Sequence, residues 1–263
     1  MKAQLFIASA LTGLSLSGSA WAIAIDGNLS DWGIGRSTWA PSAGIYHTIE
    51  DQTGVGNFKL NPGWGGQAYD AEALYATING GKLYIALATG HDPNKLQGDG
   101  SYGAGDFALD FGKNGSYEVG INIIHAGTGT TNADPLRVRG GVYKNPAWAF
   151  GLWDSSGAYA PGNPDPIHPT HLNSGTLLGN ADLAYTTIGA SDYGIEQSDL
   201  HYFYEMSLDL GLLSAAGWHG EAFNIHWTMN CANDSIMTYV PEPASLALLG
   251  IALVGLASMR RHT

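Results

Sequence analysis

Apolar and polar residues alternate with period two in several short stretches, and Gly, Asn and Asp mark the turns between them. Glu72–Ile78 alternates, Asn79-Gly80-Gly81 follows, and Leu83, Ile85 and Leu87 then recur at every second position. That order predicts a strand–turn–strand hairpin. Asp106–Phe111 puts Phe107, Leu109 and Phe111 on one face and both aspartates on the other. Lys113-Asn114-Gly115 turns the chain into a strand whose apolar face is Tyr117, Val119, Ile121 and Ile123. Tyr202–Leu208 predicts a further strand and 211–217 a short helical turn. Phe223, Ile225, Trp227 and Met229 then alternate with Asn224, His226, Thr228 and Asn230. Two regions are less regular. Residues 33–68 are Gly-rich and aperiodic, which predicts long loops with one short strand. Between 126 and 200 only Leu136–Tyr143 and Ala147–Trp153 are strand candidates, and Gly157–Pro169 reads as an extended loop. Many short strands without a long helix predict an all-β fold, a two-sheet antiparallel β-sandwich. No repeat of fixed period is present.

The ends follow another pattern. Lys2, an apolar run from Leu5 to Leu16, and Ala20-Trp21-Ala22 fit a secretory signal peptide over 1–22. At the other end, Pro241-Glu242-Pro243 precedes an uncharged apolar run, Ala244 to Met259, and then Arg260-Arg261. The prolines stop the preceding strand, and the basic flank favours a cytoplasmic end for a membrane-inserted helix. The chain therefore divides into a signal helix at 1–22, a β-sandwich at 23–239 and a tail with a transmembrane helix at 240–263. The tail resembles the PEP-CTERM sorting signal of Gram-negative bacteria, through Pro241, Glu242, Pro243, Arg260 and Arg261. The resemblance implies export, transient retention in the inner membrane, and cleavage by an exosortase-type enzyme. It further implies a final place at the cell surface or in the exopolysaccharide matrix. A simple membrane anchor with a fortuitous Pro-Glu-Pro is the alternative.

Composition narrows the function. The 263 residues carry 11 Lys and Arg against 23 Asp and Glu, a net charge of −12. Without residues 1–22 and 244–263, eight bases remain against all 23 acids, a net of −15. Such a surface does not suit nucleic acid. A single Cys allows no intrachain disulfide and no Cys-based zinc site. Cys231 itself reads as a small buried hydrophobe. Glycine, 37 of 263, is about twice the usual ~7%, in keeping with a loop-rich exported β domain.

The core resembles the DOMON-like superfamily near the family 9 carbohydrate-binding modules. The pieces are Ile25-Asp26-Gly27-Asn28-Leu29-Ser30-Asp31-Trp32, Tyr69–Tyr75, Lys82–Leu87, Gly105–Asp110 and His226–Asp234. The resemblance implies a jelly-roll-like sandwich, often with bound Ca²⁺, used by some relatives to hold sugars.

The residues themselves supply candidates for both roles. Asp70 and Glu72, spaced i, i+2, share a face if extended, and Asn230, Asn233 and Asp234 offer further oxygens. A hard cation needs several oxygens at one point, so Asp70, Glu72 and Asp234, with Asp106 and Asn230, form a candidate Ca²⁺ set. Trp64, Trp148, Trp153 and Tyr159 lie in aperiodic sequence and are candidates for stacking on a polysaccharide. Trp32 and Trp227 read as core. His168 and His171 flank Pro169 and Thr170 as a weak metal candidate, and Asp92–Gly98 lacks the ligand and glycine positions of an EF-hand. No G-x-S-x-G or H-E-x-x-H occurs. The expectation is an exported, non-catalytic sandwich protein. The alternatives are a carbohydrate-binding module with a defined glycan and a secreted polysaccharide-acting enzyme.

Overall fold

A computed structural model describes residues 23–52, 60, 64–95, 102–123, 138–186 and 188–243. The signal segment 1–22 and the apolar run 244–259 with Arg260 and Arg261 lie outside the described residues. Among the described residues no helix is long and apolar enough to cross a membrane.

The hairpin expected from the sequence forms as β2 (Ala71–Asn79) and β3 (Lys82–Thr89). Gly80 and Gly81 both take positive φ, 57° and 80°, as a two-residue turn between paired Asn79 and Lys82 demands. The short strand expected within 33–68 is β1 (Tyr46–Ile49), and Tyr202–Leu208 forms β9 (Tyr202–Asp209). With β8 (Asp182–Tyr185) these make an antiparallel sheet in the order β1-β2-β3-β9-β8. The second sheet contains β4 (Phe107–Asp110), β5 (Val119–Ile121), β6 (Gly141–Phe150), β7 (Pro169–Asn180), β10 (Phe223–Thr228) and β11 (Ser235–Val240). Its order is β11-β10-β4-β5-β6-β7, again antiparallel. The helical turn expected after β9 is α1 (Leu210–Ala215). Pro169 opens β7 at the sheet edge, where its missing N–H is tolerated.

The main core lies between the sheets. Leu74, Ile85, Leu87, Tyr204 and Met206 from the first sheet meet Phe107, Leu109, Ile121, Ile225 and Trp227 from the second. Cys231 is buried in this core. The outer face of the five-stranded sheet is covered as well. Ala73, Tyr75, Ala86, Ala88 and Phe203 point outward and pack under Leu29, Trp32, Trp39 and Tyr193. Both parities of β2 and β3 are therefore apolar, as strands buried on two faces require.

The covering segment is fastened by Glu205 on β9. Its Oε2 accepts the backbone N–H groups of Asp26, Gly27 and Asn28 at 3.1, 2.6 and 2.9 Å. Its Oε1 accepts Trp32 Nε1 at 2.7 Å. Burial raises the Glu205 carboxyl to about 7, although these donors pull the other way.

Two expectations are corrected. The region 126–200 holds two strands the pattern did not show, β7 and β8. β11 runs through Val240, one residue beyond the boundary drawn from the sequence.

Candidate functional site

β2 begins with a register shift. Ala71 pairs with Thr89 and Ala73 with Ala88, so Glu72 is the extra residue of a β-bulge. A bulge bends the strand and re-aims a side chain. Here it keeps Glu72 beside Asp70 while sending its Oε1 to His201 Nδ1 at 2.8 Å and Gln67 Nε2 at 2.6 Å. The chain leaving β1 is drawn to the same place, because Glu50 and Asp51 both donate their N–H to the Glu72 carbonyl. From the other sheet comes Asp234, just before β11. Its Oδ2 accepts Ala71 N–H at 2.7 Å and its Oδ1 accepts Ser235 N–H at 2.7 Å.

Five carboxylates meet at this point. Carboxylate oxygens of Glu50, Asp70 and Asp234 lie within 4.8 Å of one another, and so do those of Asp51, Asp70 and Glu72. Asp70 belongs to both groups and is 0% exposed. Among the described residues no donor reaches either oxygen of Asp70, either oxygen of Glu50, or Oε2 of Glu72. Burial, then Glu72 and Asp234, push Asp70 up to about 10. Burial, then Asp234, push Glu50 up to about 9. Glu72 is raised by burial, with His201 opposing. Burial alone would lower His201, but the bond to Glu72 outweighs it and the imidazole is raised.

An unpaired buried carboxylate costs several kcal/mol. Oxygen-only donors at this spacing suit a hard divalent cation rather than a soft metal. The residues present therefore fit Ca²⁺. Of the expected set, Asp70, Glu72 and Asp234 are brought together. Asp106 is placed elsewhere, because its carboxylate accepts Ile123 N–H and Leu172 N–H, both at 2.8 Å, and ties β4 to the neighbouring chain. Asn230 follows β10 with its N–H on the Gly103 carbonyl and its Oδ1 buried without a partner. Glu50 and Asp51 join the cluster although they were not among the expected residues. Their one signal was two adjacent acids in a Gly-rich, aperiodic stretch.

The stacking candidates separate. Trp148 is on β6 rather than in a loop, edge-on to Tyr117 at 6.3 Å. Trp153 and Tyr159 face each other at 5.6 Å across a bridge closed by Asp154, whose Oδ1 accepts the N–H of Ser156 and of Ala158. Trp153 Nε1 donates to Asn233 Oδ1 at 3.0 Å, which sets the pair next to Asp234 in the chain. Tyr159 is 65% exposed. Trp64 precedes Gly65, whose Cα faces Tyr69 and the Asn233 amide.

The histidines form a second polar cluster. His226 Nε2 lies 3.3 Å from His168 Nδ1, with the rings 5.4 Å apart and nearly parallel. Burial lowers His168 to about 4, and burial with the neighbouring His168 lowers His226 to about 3. His171 is not part of this contact; its Nδ1 lies beside Thr170 Oγ1. Cys231, in the main core, has its thiol pushed up to about 12 by burial.

Residues 240–261 match the PEP-CTERM protein-sorting motif. That signature is of an exported protein, anchored in the membrane as a precursor and processed by an exosortase. The motif begins on Val240, the last residue of β11, which is fully buried in the core. No curated protein matches the chain.

Proposed function

We propose that this chain is a non-catalytic β-sandwich protein of the cell surface or exopolysaccharide matrix, released from its sorting tail and braced by Ca²⁺. The ion is held mainly by Asp70, Glu72 and Asp234, with Glu50 and Asp51. The observation that carries the calcium reading is the Asp70 carboxylate, wholly buried with both oxygens lacking a donor. The ion would join the two sheets, since Asp234 precedes β11 while Asp70 and Glu72 lie at the start of β2. The sorting motif supports the location, and a DOMON-like core is consistent with the two antiparallel sheets. A non-catalytic role is supported by where the reactive groups sit. Cys231 is a buried thiol, and His226 contacts His168 and Tyr117.

Calcium titration of the chelator-treated protein tests this. Saturation at about 100 times Kd gives about 2.7 kcal/mol, read as a melting-temperature rise of several degrees. No rise at millimolar Ca²⁺ rejects the site.

A second reading, glycan binding, is favoured by the exposed Tyr159 ring set against Trp153. Loss of polysaccharide-gel retardation in Trp153→Ala and Tyr159→Ala supports it, and unchanged mobility of both removes it.

A further inference from the structure

We infer that the carboxylate cluster is a two-ion site, with Asp70 bridging a pair of divalent cations between Glu50 and Asp234 on one side and Asp51 and Glu72 on the other. The inference rests on the calcium reading above and specifies its stoichiometry and geometry.

Three observations carry it. Asp70 is shared by both carboxylate groups, and each of its two buried oxygens lacks a donor. A bridging carboxylate needs one open oxygen for each ion, and a single ion can leave one of them orphaned. Glu50 and Asp51 follow β1 and both donate their N–H to the Glu72 carbonyl, yet their carboxylates fall in different groups. Glu50 joins Asp234 and Asp51 joins Glu72, so the two groups have Asp70 in common and no other residue. Charge gives the third argument. The five carboxylates have one basic partner among the described residues, His201 on Glu72. With all five ionised, as metal ligands must be, a single divalent cation leaves at least two negative charges in a buried site. Two cations balance the five carboxylates to within one charge, whichever form His201 takes.

The open oxygens also divide between the two positions. Glu50 contributes both oxygens to the first and Glu72 its Oε2 to the second. The backbone holds Asp234 through Ala71 and Ser235, and Asp51 is held by Trp39 Nε1 at 2.9 Å and Ile195 N–H at 2.7 Å. Both positions are thus prepared by donors that fix the ligands without occupying every oxygen. Glu50 and Asp51 are half-buried beside the end of β1.

The test is ion stoichiometry on the purified full chain, stripped with chelator and re-equilibrated with Ca²⁺. Isothermal titration and elemental analysis should give two ions per chain. Glu50→Gln and Asp51→Asn should each retain one. Asp70→Asn should lose both, with strand content unchanged by circular dichroism. One ion per chain overturns the two-ion inference and leaves the calcium reading standing. Two ions that both survive Asp51→Asn also overturn it. No bound ion overturns both.

Discussion

Glu205 on the five-stranded sheet and Asp70, which immediately precedes its β2, are both fully buried acids, and they end in opposite situations. Glu205 receives four donors, three backbone N–H groups and one indole, all from the segment that covers the outer face. Asp70 receives none, and four further carboxylates surround it. The chain has thus satisfied one carboxylate from its own sequence and left the other without a donor among the described residues. A buried acid is evidence of a ligand only when its donors are missing. Burial alone would have scored the two alike.

The largest test of this contrast is Glu205→Ala. It strands four donors and should cost about 3–5 kcal/mol, lowering the denaturant midpoint and releasing residues 23–45 to protease. An unchanged midpoint would mean that the covering segment is held by Trp32 and Trp39 packing alone. Asp70→Asn should behave in the opposite sense. In chelator it relieves like-charge repulsion and leaves the melting temperature level or raised by about 1 kcal/mol equivalent. In calcium it forfeits the rise of about 2–3 kcal/mol expected of the wild type. A loss of stability in chelator would show that Asp70 already has its partner within the chain.

The imidazoles repeat the contrast on a smaller scale. His201 is held by Glu72, whereas His168 and His226 hold each other and are neutral. Their folded values, about 4 and about 3, lie below the ordinary 6.5. The unfolded chain therefore binds more protons below pH 6.5, and stability falls as pH drops toward 4. One imidazole accounts for about 1.4 kcal/mol per pH unit. The difference between wild type and His226→Gln, followed by melting from pH 7 to 4, should show this slope. Parallel curves would remove the pair from the acid response. The smallest effect belongs to Trp153→Ala, which loses a half-buried ring and its bond to Asn233. About 1 kcal/mol is expected, read as a small fall in melting temperature. A loss of several kcal/mol would make this ring part of the structural core rather than a surface platform.

The sequence made the strongly alternating strands readable, but not the strands whose stabilisation comes from their neighbours. β2 and β3 announce themselves through Leu83, Ile85 and Leu87 and a Gly-Gly turn. β7 carries Asn173, Ser174, Gly175, Thr176 and Gly179 at a sheet edge, half exposed, with no apolar period to detect. β11 is six residues long with Thr238 among its buried positions, too short to stand out beside β10. The site was legible in part for the same reason. Asp70 and Glu72 are neighbours in sequence, and Asp234 closes a recognisable segment. Glu50 and Asp51 reach the cluster only through backbone bonds to the Glu72 carbonyl, a pairing that exists after the sheet has formed. Asp106 misled because a carboxylate that ties strands together is the same residue type in the same strand-end position as one that binds an ion.

The end of β11 has a consequence for maturation. Val240 is at once a buried core residue and the first residue of the sorting motif. A cut on its amino-terminal side would take a wedge out of the sandwich and leave Phe223, its partner on β10, facing water. The fold thereby sets an upstream limit for trimming. A scissile bond after Val240 releases an intact domain, and the Pro-Glu-Pro that follows lies on the expendable side of that line.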